Sequence, residues 1–359
     1  DLLPENARSR GKTPMSVGAM RGLRRAARWL KYRFASRALI LMYHRVTALP
    51  TDPHLLAVRP DHFAEQMEEI RRHCIPMRLQ ELIEALRERK VPNRAVVVTF
   101  DDGYADNLHE AKPVLEHYGI PATVFVTAGH VGNRREFWWD DLDRVLLQPG
   151  TLPARLRLAM KERPCDCELG DARTYTENDY RQHRDWHVER QDDPSGRHRL
   201  FRTLYAGLSA LSGGERETVM DELLAWAGAE PTARRSHRTL TTEELIRLQA
   251  GGLVDVGAHT MTHPYLATLT GAEQNREIRH SKERLEAILG CAVTSFAYPH
   301  GSITPESVAI LSEAGFVSAC CSHPDAVWQD ADPFCLPRVV VRDWSWKPFK
   351  RWLRWWIDG

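Results

Sequence analysis

Two aspartates, three histidines and an arginine carry the residues in this chain best suited to hydrolytic chemistry. Asp101 and Asp102 stand in Thr99-Phe100-Asp101-Asp102-Gly103-Tyr104, directly behind the apolar, β-branched run Ala95-Val96-Val97-Val98. Such a run reads as a buried strand, and Gly103 marks the turn that ends it. Adjacent side chains on extended backbone point to opposite sides, so one carboxylate can grip a metal while the other handles a proton. His259 and His263 lie four apart in His259-Thr260-Met261-Thr262-His263, behind a second strand-like run. A helical or tightly turned backbone aims both imidazoles at one point. With Asp102 they make a two-histidine, one-carboxylate set, which leaves coordination positions open for water and substrate. Zinc is the expected divalent metal, and these mixed N and O donors also accept cobalt, nickel, iron or manganese.

The elements that must position these groups follow a repeating order. Arg37 to Val46 gives a strand ending at His44, and helical spacing follows over 60–73 and 79–89. Beyond the aspartates come a helix closed by Gly119, a strand over 122–127, and a long interval, 134–240, of charged amphipathic stretches with few strand-like runs. That interval is expected to be a mainly helical insertion, with Trp138 and Trp139 anchoring it or stacking on a sugar ring. Strands at 253–258, 294–298, 316–321 and 335–341 then alternate with helices. About seven strand-then-helix alternations predict a distorted (β/α)7-type barrel of α/β class, with its chemistry at the strands' C-terminal ends. The expected organisation is a basic N-terminal segment (1–37), the barrel (38–345) and a Trp-rich C-terminal helix (346–359).

At 359 residues, 43% hydrophobic and 27% charged, the chain can bury a full core. A formal charge of +1 gives no global field for nucleic acid. Seven scattered cysteines do not form a disulfide framework and suit a reducing compartment. The apolar run 38–43 is too short for a signal core or a membrane span, and Met15 or Met20 would serve as a start. The expected location is therefore cytoplasmic, with peripheral association at the inner face of the membrane if the two basic, Trp-containing terminal segments rest on anionic lipid.

Taken in order, TFDDGY at 99–104 and HTMTH at 259–263 resemble the first two motifs of the polysaccharide deacetylases, the NodB-homology carbohydrate esterases. The likeness spans roughly residues 38 to 342 apart from the insertion. It implies metal-dependent removal of N-acetyl groups from amino sugars of a polysaccharide, an exopolysaccharide or a lipid-linked precursor. It also implies that Asp101 is the general base, that Asp102, His259 and His263 are metal ligands, and that the Tyr104 backbone N–H is the oxyanion donor. Two departures from the family pattern matter. The late strand reads Leu336-Pro337-Arg338 with no histidine, so His44 is the expected general acid, similar to circularly permuted members acting on poly-N-acetylglucosamine. No arginine precedes Pro299, so Arg338 is expected to orient Asp101 through a charge-assisted bond. Tyr298, Pro299 and His300 are expected at the substrate pocket. An O-acetyl ester or a non-sugar amide as substrate, or a non-catalytic carbohydrate-binding barrel, are the competing readings.

Overall fold

A computed structural model describes residues 37–160 and 164–358; the expected basic N-terminal segment lies outside them up to residue 36. Seven strands form the frame: β1 (Arg37–Tyr43), β2 (Ala95–Phe100), β3 (Ala122–Val126), β4 (Val254–Ala258), β5 (Ser295–Ala297), β6 (Ser318–Cys320) and β7 (Val339–Val340). Each of β1 to β5 pairs in parallel with the next. The curl is completed by a parallel bridge from Cys320 to Leu336 and by parallel pairing of β7 with β1 at Leu41↔Val339 and Met42↔Val340. The distortion sits at this seam, where Pro337 lacks an N–H and one bridge joins β6 to the last strand segment.

The helices are α1 (Pro60–His73), α2 (Leu79–Arg87), α3 (Lys112–Tyr118), α4 (Trp138–Leu146), α5 (Glu177–His183), α6 (Gly196–Ser209), α7 (Gly213–Ala227), α8 (Thr242–Gln249), α9 (Gly271–Leu289), α10 (Pro305–Glu313) and α11 (Trp346–Asp358). Both faces of β1 and β2 are buried, as a helix-wrapped parallel sheet requires. Side chains alternate between two cores. Leu39, Leu41, Val96 and Val98 belong to the larger one, whereas Ala38, Ile40, Ala95, Val97, Phe125 and Ala297 pack with Leu82, Ile83 and Leu86 of α2. This period of two decides what reaches the mouth. The second column continues through Met42 to His44 on β1, and through Thr99 to Asp101 on β2.

Residues 134–240 form a subdomain with its own core, in which Phe137, Trp138, Trp139 and Leu142 meet Phe201, Leu204 and Leu223. It is mainly helical but carries two short antiparallel pairs, Gly150–Thr151 with Thr174–Tyr175 and Arg155–Leu158 with Cys165–Glu168. The second follows from the alternation Arg155-Leu156-Arg157-Leu158, whose leucines alone are buried. Cys165 and Cys167 occupy its return strand.

Candidate active site

At the C-terminal ends of β1, β2 and β4–β6 lies a pocket of about 250 Å³, lined by His44, Asp101, Asp102, His259, His263, Tyr298, His300 and Arg338. Eight of the ten residues singled out in the sequence therefore meet at one place. Pro299 and Tyr104 are the exceptions. Pro299 is buried behind the wall and opens a short turn rather than facing the pocket. The Tyr104 side chain points into the insertion core, where its hydroxyl donates to Asp140 Oδ2 (2.7 Å) and accepts from Trp139 Nε1 (2.9 Å). Its role as an oxyanion donor rests on the backbone alone: among the described residues the Tyr104 N–H has no acceptor, while those of Gly103 and Ala105 bond Asp101 O and Arg238 O.

Asp101 and Asp102 follow one another yet face the same pocket. Asp101 continues the inner column of β2, and its N–H extends the ladder to Tyr43 O (3.0 Å). Asp102 then takes a φ of +74°, a left-handed conformation uncommon outside glycine, which turns its carboxylate back to the mouth. His259 and His263 sit on a turn, not a helix, with Thr260 and His263 also at positive φ. Glu277 of α9 pins this turn, accepting from the N–H groups of Met261 (2.8 Å) and Thr262 (2.9 Å) and from the Thr262 hydroxyl (2.8 Å).

The three donors are arranged for a cation. Asp102 Oδ1 lies 3.6 Å from His259 Nε2 and 3.3 Å from His263 Nε2. It is buried with no hydrogen-bond partner, so these contacts are proximity without a shared proton. An orphaned buried carboxylate oxygen is costly unless something positive completes it. Asp102, His259 and His263 place one ligand atom each within 4.8 Å of one another. His259 Nδ1 pairs with Ala297 O at 2.8 Å, which fixes the tautomer and frees Nε2. Burial lowers the pKa of both imidazoles, that of His263 strongly, which favours the neutral form a metal needs. The donor set fits a divalent metal.

Arg338 and Asp101 make a bidentate pair, Nη1 to Oδ1 and Nη2 to Oδ2, both 2.7 Å, with each residue at most 3% exposed. Arg338 is itself held by Cys321 O (3.1 Å) and Thr99 Oγ1 (3.3 Å). Burial pushes the Asp101 carboxyl up, but the Arg338 charge, His259 and the guanidinium bonds outweigh it and hold the pKa below the usual range. Tyr298 closes one wall, its hydroxyl spent on Phe334 O (3.0 Å). His300, at φ +56°, stacks on Tyr265 at 3.8 Å and meets the His263 ring edge-on at 4.5 Å.

Sequence reasoning missed His54, Leu56, Tyr205 and Ser322, which complete the lining, and left Trp139 between two uses. Trp139 serves both: it stacks on Phe137 (4.4 Å) inside the insertion and presents its ring to His263 at 4.9 Å. Tyr205 on α6 stands 4.6 Å from the His54 ring, so the insertion and the loop after β1 together build one side of the pocket.

A family model described as polysaccharide deacetylase matches residues 88–168 and 225–319, the two segments that carry the aspartates and the histidines. The chain belongs to the polysaccharide deacetylase family. The unmatched interval, 169–224, falls within the insertion, residues 134–240. The putative polysaccharide deacetylase YxkH of Bacillus subtilis is 32% identical over 110 residues, 30% of this chain and 37% of that protein. A poly-beta-1,6-N-acetyl-D-glucosamine N-deacetylase of Staphylococcus aureus is 32% identical over 116 residues, 29% of this chain and 40% of that protein. The matched stretches thus cover well under half the length of these curated relatives. Among solved structures, IcaB from Ammonifex degensii superposes with a TM-score of 0.55 at 20% identity, over 89% of this chain and 97% of that one. The Streptococcus pyogenes deacetylase PplD gives 0.56 at 16% identity, over 90% and 100%. These two share the fold.

Proposed function

We propose that this chain is a metal-dependent N-deacetylase acting on N-acetylated amino sugars of the N-acetylglucosamine type within a glycan. The observation that supports this most directly is the contrast between the two aspartates. Asp101 has both oxygens bound by a buried guanidinium, whereas Asp102 Oδ1 is unpartnered between two imidazole Nε2 atoms. One carboxylate is kept ionised for a proton, and the other is left for a cation.

A divalent metal held by Asp102, His259 and His263 supplies Lewis acidity toward the amide oxygen and makes a nucleophilic water available near neutral pH. Asp101 takes the proton of the attacking water, and Arg338 keeps its carboxylate ionised and oriented for that transfer. The Tyr104 N–H stabilises the negative charge that develops on the former carbonyl oxygen. His44, at the end of the inner column of β1 and lining the same pocket, hands a proton to the departing amine. Without that proton an amine is a poor leaving group, so the roles of base and acid are carried by different residues on neighbouring strands. Trp139 and Tyr205 offer apolar faces to the sugar ring.

The test is acetate and primary-amine release from N-acetylglucosamine oligomers, with and without a chelator. Both products in equal amounts, lost on chelation and restored by zinc or cobalt, support the reading. Acetate release from an O-acetylated sugar but not from these oligomers would instead indicate an ester substrate, and no product from either would remove the proposal.

A further inference from the structure

The apolar face of α11 is fully used, which makes its opposite face conspicuous. Phe349, Leu353 and Ile357 are buried against the barrel. On the outside stand Trp346, 43% exposed, and Trp355, 64% exposed, two of the five large hydrophobic side chains that the described residues leave in solvent. Tryptophan is seldom left this bare, because a ring of that size gains considerably from burial. Between the two rings run Lys347, Arg351 and Arg354, all exposed.

The neighbouring charges sharpen the picture. Of the acids near this face, Glu69 pairs with Lys350 (3.0 Å) and Asp358 with Arg94 (2.7 Å), while Glu65 accepts from the Trp346 N–H (2.7 Å). Among the described residues, Lys347, Arg351 and Arg354 have no carboxylate partner. A third exposed apolar side chain, Ile75 at 50%, lies beside the C-terminal end of the helix, because its N–H bonds to O of the same Arg94 that pairs with Asp358. The described chain also begins there, since Arg37 Nε donates to Trp356 O (3.1 Å). Immediately before it in sequence, residues 20–36 carry six cations and no acid, with Leu23, Trp29, Leu30 and Phe34 among them. The basic, tryptophan-bearing stretch of α11 thus stands out in a chain with a net charge of only +1.

We propose that this face, built from Trp346, Lys347, Arg351, Arg354 and Trp355, docks the protein peripherally on an anionic phospholipid surface. Indole rings settle at the headgroup level, and each nearby Lys or Arg gains from the negative surface potential. Among the described residues no helix is long and apolar enough to cross a membrane, so the contact is interfacial. A second copy of this chain is disfavoured as the occupant, because a two-fold pairing would set this cationic face against itself.

The experiment is co-sedimentation of the full chain with equimolar phosphatidylglycerol–phosphatidylcholine vesicles and with pure phosphatidylcholine vesicles, at low and high salt. Binding is expected to the anionic vesicles only and to weaken with salt. Arg351→Glu with Arg354→Glu is expected to weaken partitioning at least about tenfold, and Trp355→Ala about fivefold. Both variants sit on solvent-facing positions, and deacetylation of soluble oligomers is expected unchanged, which separates lost docking from lost folding. No binding to anionic vesicles at low salt, or full binding by both variants, would overturn the proposal. So would a wild-type dimer in light scattering that the double variant dissolves while vesicle binding stays at background.

Discussion

Arg338 Nη1 and Nη2 reach Asp101 Oδ1 and Oδ2 at 2.7 Å each, a two-point grip made between β2 and the last strand segment across 237 positions of sequence. Removing the guanidinium leaves a buried carboxylate uncompensated. Arg338→Met is therefore expected to cost about 3–5 kcal/mol of stability and most of the turnover, while Arg338→Lys, with charge but no fork, recovers only part of each. Denaturant unfolding beside turnover checks this. Wild-type stability in the Met variant would show that the pair is incidental.

His44 bears on the leaving group alone. His44→Gln is expected to lower turnover of an N-acetyl amide by about 10²–10⁴-fold, yet to leave an aryl acetate, whose leaving group needs no proton, nearly unaffected. Equal losses on both substrates would assign His44 to binding or structure instead.

The turn that carries the histidines depends on residues with no part in the chemistry. Glu277→Ala removes three bonds to that turn and is expected to weaken metal affinity about 10–100-fold. Gly129 lies beneath the same turn, its N–H on Met261 O (3.0 Å), and a Cβ there would stand 2.3 Å from that oxygen. Gly129→Ala is expected to cost about 1–3 kcal/mol and to weaken metal binding as well. Chelator competition and thermal unfolding read the two effects.

A pH prediction comes from the insertion. Burial, with Glu136 nearby, raises the Asp140 pKa to about 8, despite Arg45 and the bond from Tyr104. The folded protein then holds a proton that the unfolded chain has released above about pH 4, so this group's contribution to stability falls as pH rises from about 4 toward 8. Asp140→Asn is expected to flatten that slope, seen as a smaller drop in Tm between pH 5 and pH 8. An unchanged slope would show that Asp140 is ionised in the folded state.

How much of this was legible in sequence depends on how local each signal is. The apolar runs before Asp101 and His259 located both motifs at strand ends, and the period of two along β1 and β2 carries His44 and Asp101 inward. Helical spacing within 134–240 marked the insertion, though not the Arg155–Leu158 hairpin, whose alternation is only four residues long. The turn at His259–His263 was left open against a helix, because positive φ at Thr260 and His263 is imposed by Glu277 and Gly129 from other elements. His54, Tyr205 and Ser322 carry no motif at all. They reach the pocket only because a loop, an insertion helix and a strand end converge there. Pro299 misled for the opposite reason: it stands in a motif but supplies backbone geometry, setting the turn that delivers His300.

The central claim is that neighbouring aspartates have separate duties, and Asp101→Asn tests it most directly when metal content and turnover are measured on the same sample. The account predicts about one divalent metal per chain, as in wild type, with turnover reduced by about 10² or more. Near-normal turnover in Asp101→Asn, or a wild-type protein that retains no divalent metal, would contradict it.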